Sequence, residues 1–292
     1  ASGLTPVTLS SARDALGDTW LLGSIPLELG MESFCAAGLL IAGVQVVWPG
    51  LRRGLGGMLG YSLLTVLWHD LLYGGGRFMG YQMDALLLDA TPNAVLAASG
   101  LAPAAATFGY RWLLTRLYIG AGAVKLLSCD ASWRDLSAVH WHLQSQPLPN
   151  PLAGAAFASV PEAVTSAATL AVLVIELAAP YLFLAPSPTL RRLAFGAHVG
   201  LMAAIAAFGN FGPLQIVLVV IGIALLDDAD LPGVAAEPEP RTGPGAGAGA
   251  AASSAPSAVN TALSATALAL ALAGAAWVAH DVTTACVDSW PA

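Results

Sequence analysis

Apolar runs separated by short polar breaks occupy most of the chain. They cover residues 31–48, 58–72, 85–106, 110–127, 163–185, 193–208, 213–226 and 259–279. A helix rises 1.5 Å per residue, so about 20 residues are needed to cross a hydrocarbon core of about 30 Å. The run at 163–185 meets that length outright. The runs at 58–72, 193–208 and 213–226 are shorter, and they require flanking residues or burial against other helices. Run 85–106 is interrupted by Pro92, Gly100 and Pro103. The pattern predicts an all-α fold, a polytopic transmembrane helix bundle with six to eight crossings.

The breaks give the domain organisation. Residues 1–30 form a polar or interfacial N-terminal segment without the basic and apolar regions of a signal peptide, so either the first apolar span is expected to act as the targeting signal or the chain as given lacks its true beginning. Residues 31–230 form the bundle, including a polar lumenal or re-entrant loop at 128–162. Residues 231–257 are rich in Pro, Gly, Ala and Ser and read as a flexible linker. Residues 258–292 hold a last transmembrane helix and a short tail. Arg52, Arg53, Arg191, Arg192 and Arg241 mark cytosolic ends by the positive-inside rule, provided that 85–106 crosses.

Composition agrees. Of the 292 residues, 57% are hydrophobic and only 10% are charged; mean hydropathy is +0.71. A soluble domain carries roughly 25% charged residues, so lipid is the natural solvent and membrane lipids are the expected surroundings. The net charge of −7 is uneven, with acids gathered from Asp227 to Glu239, and no basic run exists, which argues against nucleic acid as a partner. Cys35 lies in an apolar run. Cys129 and Cys286 lie in polar flanks; they pair if both face an oxidising lumen, and two free thiols fit the sequence equally well.

Charges within or beside spans are costly, and here they cluster. Arg111 and Arg116 lie on 110–127, Asp84 and Asp89 around the start of 85–106, and Glu176 midway along 163–185. Pairing Arg111 or Arg116 with Glu176, Asp84 or Asp89 inside the bundle neutralises them most cheaply. Lys125 is the lone lysine. At a span end it snorkels or pairs; desolvated, it becomes a base. His140 and His142 flank Trp141 and on an extended strand would form half of a metal site. A third ligand at a telling distance is lacking apart from Asp135, so polar loop histidines are the simpler reading and neither a metal nor a cofactor is expected. His198, isolated on an apolar run, is expected to hydrogen-bond between helices.

The stretch Ser132–Pro151 is the most informative. Trp133 and Trp141 suit a membrane interface, and Pro147, Pro149 and Pro151 stiffen the backbone. Its residues Trp133, Arg134, Asp135, Leu136, His142, Gln146, Pro147, Pro149, Asn150 and Pro151 match a signature of lipase maturation factors, W-R-D-L followed by an aromatic-His pair and Q-P-x-P-N-P. Arg111 through Arg116 with Gly122–Leu126, Ile175-Glu176-Leu177 with Pro180, Gly209-Asn210-Phe211 and Leu225-Leu226-Asp227-Asp228 follow in the family's order. The chain thus resembles that family of endoplasmic-reticulum membrane proteins from about Leu63 to Leu231. The resemblance implies a chaperone-like factor for secreted lipases, not an enzyme. Its client surface would comprise Trp133, Arg134, Asp135, His140, Trp141, His142, Gln146, Pro147, Pro149 and Pro151. A shorter run, Gly120–Lys125 with Asp130–Trp133, is similar to vitamin-K-dependent carboxylases, and that similarity implies Lys125 as a catalytic base; a structural subunit of a larger membrane complex is the other alternative.

Overall fold

The structure, a computed structural model, describes residues 27–75, 82–146, 150–209 and 211–231. Among them the regular structure is helical: α1 (Leu27–Val47), α2 (Gly54–Gly75), α3 (Gln82–Ser99), α4 (Pro103–Leu127), α5 (Ala131–Arg134), α6 (Ala138–Gln144), α7 (Pro151–Ser159), α8 (Glu162–Phe183), α9 (Pro188–Phe208) and α10 (Leu214–Gly222), with short 3₁₀ turns at Pro49–Arg52, Ile223–Leu225 and Asp228–Asp230. Among the described residues three segments are long and apolar enough to cross a membrane: Leu29–Val47, Glu162–Phe183 and Pro188–Phe208. The chain is thus an all-α, multi-pass membrane protein. The expected last span, at 259–279, and the linker lie outside the described residues.

The apolar run at 85–106 is not one element. Helix α3 stops at Ser99, Gly100 takes a left-handed backbone with φ of 69°, and Pro103 opens α4. Proline at a first helical turn forfeits no hydrogen bond, and glycine adopts positive φ without a steric cost. Pro92, by contrast, is accommodated inside α3.

The chain divides into two compact units at Tyr110/Arg111, within α4. In the first, α2 packs on both α1 and α3. Phe34 on α1 meets Leu67 and Leu71 on α2. Trp68 donates its indole N–H to the Asp84 carbonyl at 3.0 Å. Gly57 on α2 lets Ala98 on α3 come so close that a Cβ there would lie 2.9 Å from the alanine methyl. Arg52 closes the α1–α2 turn by donating to the carbonyls of Gln45 and Val46, at 2.6 and 3.0 Å.

In the second unit α8 and α9 form an antiparallel hairpin, α10 returns along α9, and α6 packs on α8 and α7. The buried residues of α8 (Thr165, Thr169, Leu173, Glu176, Ala179, Pro180 and Phe183) recur every three or four positions, so a single stripe faces inward. Opposite this stripe, Leu170 and Val174 are half exposed. His198 of α9 is fully buried. Its Nε2–H donates to the Leu218 carbonyl of α10 at 3.0 Å, and Nδ1 accepts from the Tyr118 hydroxyl of α4. The expected interhelical histidine thus joins three helices. The ring fits because Gly222 has no side chain; a Cβ there would lie 2.7 Å from the imidazole.

Candidate functional site

The register of α4 against α8 decides where the signature segment sits. A Cβ on Gly122 would lie 2.7 Å from the Leu177 side chain and 3.2 Å from Glu176 Cβ, so the helices touch at this level. Beyond Gly122, α4 climbs only about 7.5 Å to its end at Leu127, whereas α8 continues about 21 Å from Glu176 to its start at Glu162. Helix α4 therefore stops roughly 13 Å short of the α8 terminus. Helices α5 and α6 fill the gap. The Val139 N–H donates to Thr169 Oγ1 at 3.1 Å, which gives buried Thr169 a partner from α6, while buried Thr165 donates to the Glu162 carbonyl of its own helix at 2.9 Å.

Lys125 anchors the lower end of this insertion. Its Nζ lies 2.8 Å from Glu176 Oε1 and 2.7 Å from Oε2. Hydrogen-bond geometry holds only at Oε1, so Oε2 makes a charge contact and lacks a hydrogen bond. The same ammonium donates to the Ala121 carbonyl at 3.1 Å and stands 5.1 Å from the centre of the Trp133 ring. One cation thus fixes α4, α8 and the first tryptophan of the signature, with ion pairing and cation–π attraction acting together. Asp130 caps α5 by accepting from the Ser132 N–H at 2.9 Å. Asp135 accepts from both the N–H and the hydroxyl of Ser137, at 2.9 and 2.6 Å, which lowers its carboxyl below the usual range.

The upper end is stapled by Asn150. Its Oδ1 accepts from the Leu152 and Ala153 N–H groups at 3.0 and 3.2 Å, capping α7, and its amide donates to the Ala207 carbonyl at 3.1 Å. Asn150→Ala removes cap and staple together and should cost about 1–2 kcal/mol, read as a lower thermal midpoint in detergent with helix content retained.

Because α6 is helical, the two histidines of H-W-H point in different directions. Residues two apart on a helix do not share a face, so the extended-strand metal half-site does not form. His140 packs on Phe157, with its Nδ1 buried and without a hydrogen-bond partner. His142 stacks on Phe211 at 6.1 Å, level with the α9–α10 turn, and Gln146 donates to its Nε2 at 2.7 Å and to its carbonyl at 2.9 Å. An accepting Nε2 requires the neutral ring, and burial pushes His142 below the ordinary value of 6.5. The unfolded chain then binds the proton more readily, so stability falls as pH drops through and below about 6.5. Thermal midpoints measured from pH 7.5 to 5.5 should decline more steeply for the native chain than for His142→Gln.

Trp141 is 53% exposed, and Arg134, Asp135 and Pro151 are exposed around the segment. Pro147 and Pro149 lie outside the described residues. Cys129 is disulfide-bonded and Cys35 is a free thiol; Cys286 also lies outside the described residues. Asp84 and Asp89 belong to the first unit and Arg111, Arg116 and Glu176 to the second. Asp84, Asp89 and Arg116 are each engaged in polar interactions.

Arg111 does not take Glu176. It lies about 16 Å along α4 from Gly122, at the opposite end of the bundle. There Arg111 Nε donates to the Ala224 carbonyl at 2.7 Å, with Asp227 3.9 Å from Nη2. Arg191 binds both oxygens of Asp227 through Nη2, at 2.6 and 2.7 Å, and donates to the carbonyls of Ala185, Pro186 and Leu225. Arg192 holds Asp230 at 2.7 Å, lowering that carboxyl. This clasp ties the α8–α9 turn to the end of α10. The sequence signal for it was the pairing of Arg191-Arg192 with an acidic run after an apolar one, which the topological use of those arginines concealed.

The lipase maturation factor transmembrane domain matches residues 8–232. Lipase maturation factor 2 of Xenopus laevis is 32% identical over 212 residues, covering 69% of this chain and 29% of that protein. The human lipase maturation factor 2 is 34% identical over 228 residues, covering 72% and 31%. Lipase maturation factor 1 of Bos taurus is 28% identical over 229 residues, covering 74% and 39%. The chain thus spans about 30% of the length of the first of these relatives. No solved structure matches. The ordered match along 8–232, with the signature segment built into the helix register, shows that this chain belongs to the lipase maturation factor family.

Proposed function

We propose that the chain is the membrane-embedded part of a factor that assists folding and assembly of secreted lipases in the endoplasmic reticulum membrane. The family match over 8–232 carries the reading. The signature segment supports it. Lys125 and Asn150 fix its two ends, and between them Arg134, Asp135 and Trp141 stand exposed. Large amphipathic side chains held in place make contact area at low entropic cost. The bonded state of Cys129 fits a segment that faces an oxidising lumen, where secreted proteins fold.

The role is binding, not catalysis. A lysine acting as a base needs a free amine, whereas Lys125 is engaged by Glu176 and the Ala121 carbonyl. The test is restoration of secreted lipase activity in cells lacking their own maturation factor. Trp141→Ala should reduce restored activity several-fold at unchanged expression. Lys125→Arg keeps the cation and should retain most of it; complete loss with Lys125→Arg at normal expression would favour chemistry at the amine. Full activity with Trp141→Ala combined with Arg134→Ala would remove the segment from client binding.

A further inference from the structure

Helix α8 rises about 33 Å over Glu162–Phe183, close to the thickness of a hydrocarbon core. Taken as spanning that core, the helix has its start at Glu162 at the loop-side boundary of the membrane. The stretch from Leu127 to Val139 does not lie above that boundary. Its first end is set by the Gly122 contact, about 13 Å below Glu162, and its second by the bond to Thr169, about 10 Å below.

Between these ends stand Asp130, Arg134 and Asp135, all exposed. An arginine could snorkel over such a distance; the two carboxylates are too short to do so. Cys129 and Leu136 have left-handed backbones, with φ of 58° and 64°, so the peptide ladder is broken twice at this depth. Irregular backbone and charge are tolerated at membrane depth only where protein buries them or water reaches them.

We propose that a water-filled cleft opens at the loop end of the second unit and descends within the membrane along α5 and α6, with the Lys125–Glu176 pair as its floor. It is filled with water, and the body of α8, whose outward face carries Leu170 and Val174, separates it from lipid. The cleft also accounts for the contrast on α8 at one level: Thr165 and Thr169 face the insertion, while Leu170 and Val174 face outward.

The test is thiol accessibility in the full chain, with Cys35 changed to serine, reconstituted in lipid vesicles. The probe is a charged, membrane-impermeant methanethiosulfonate. Ser128→Cys and Ala131→Cys are small changes at exposed sites and should react at least tenfold faster than Leu170→Cys and Val174→Cys at comparable depth. Reaction at all four sites would overturn the proposal, because the upper half of α8 would then stand in water. Reaction at none would overturn it by leaving the insertion dry. Hydrogen exchange of the unaltered chain in nanodiscs needs no variant: peptides covering 128–137 should exchange faster than those covering 164–174, and equal protection would contradict the cleft.

Discussion

Glu176→Ala is expected to destabilise the protein by about 3 kcal/mol, seen as loss of folded protein in mild detergent and a lower midpoint on denaturant titration. The partner left behind decides the magnitude. Lys125 Nζ sits 2.7 to 2.8 Å from the carboxylate, with side-chain exposures of 19% and 8% for the pair. Removing the acid leaves an ammonium facing a carbonyl and an indole ring in a place it was drawn into by charge. Lys125→Met should cost a similar amount by stranding the carboxylate. The double change, Lys125→Met with Glu176→Leu, should recover most of the loss, since two apolar side chains of matching volume need no ion partner. Additive losses in the double variant would mean that the two residues act independently.

Arg191→Leu is expected to have an effect of similar size, about 3 kcal/mol or more. Arg191 is 5% exposed and serves both Asp227 oxygens and three backbone carbonyls. Two of those carbonyls lie in the turn after α8 and the third at the end of the 3₁₀ turn following α10, where no intrahelical donor satisfies them. Arg191→Lys tests the geometry as distinct from the charge. A single ammonium cannot reproduce the planar fork, so most of the loss should persist. Asp227→Asn should cost less, because it retains an acceptor for the guanidinium and Arg111 still donates to Ala224. The readout is the fraction of α10-region peptides protected from proteolysis, alongside the thermal midpoint.

The helices were legible because long apolar runs in a chain with 10% charge admit few other structures. The signature segment was legible as a unit, and so was the interhelical role of His198. Two features were not. Which cation would face Glu176 depended on how far along α8 the end of α4 lies, and that register is set by Gly122, a residue whose lack of a side chain carries no pattern of its own. The same register decides between the two forms expected of the 128–162 loop, lumenal or re-entrant, by setting it as an insertion beside the upper half of α8. The conformation of the H-W-H run was not legible for a local reason: extended, it would align two imidazoles, whereas α6 turns them apart toward Phe157 and Phe211. Short helices of this kind take their conformation from tertiary packing more than from propensity.

Inserting 128–139 alongside the upper half of α8 is the claim on which the site, its ion pair and its exposed face all depend. Oxidative cross-linking of Val139→Cys with Thr169→Cys in intact membranes tests it most directly, because the native residues already share a bond of 3.1 Å. Rapid, near-complete formation of the cross-link, with Val139→Cys and Glu162→Cys remaining unlinked, is the result expected. Efficient linkage of residue 139 to residue 162 and none to residue 169 would put the segment at the membrane surface and contradict the account.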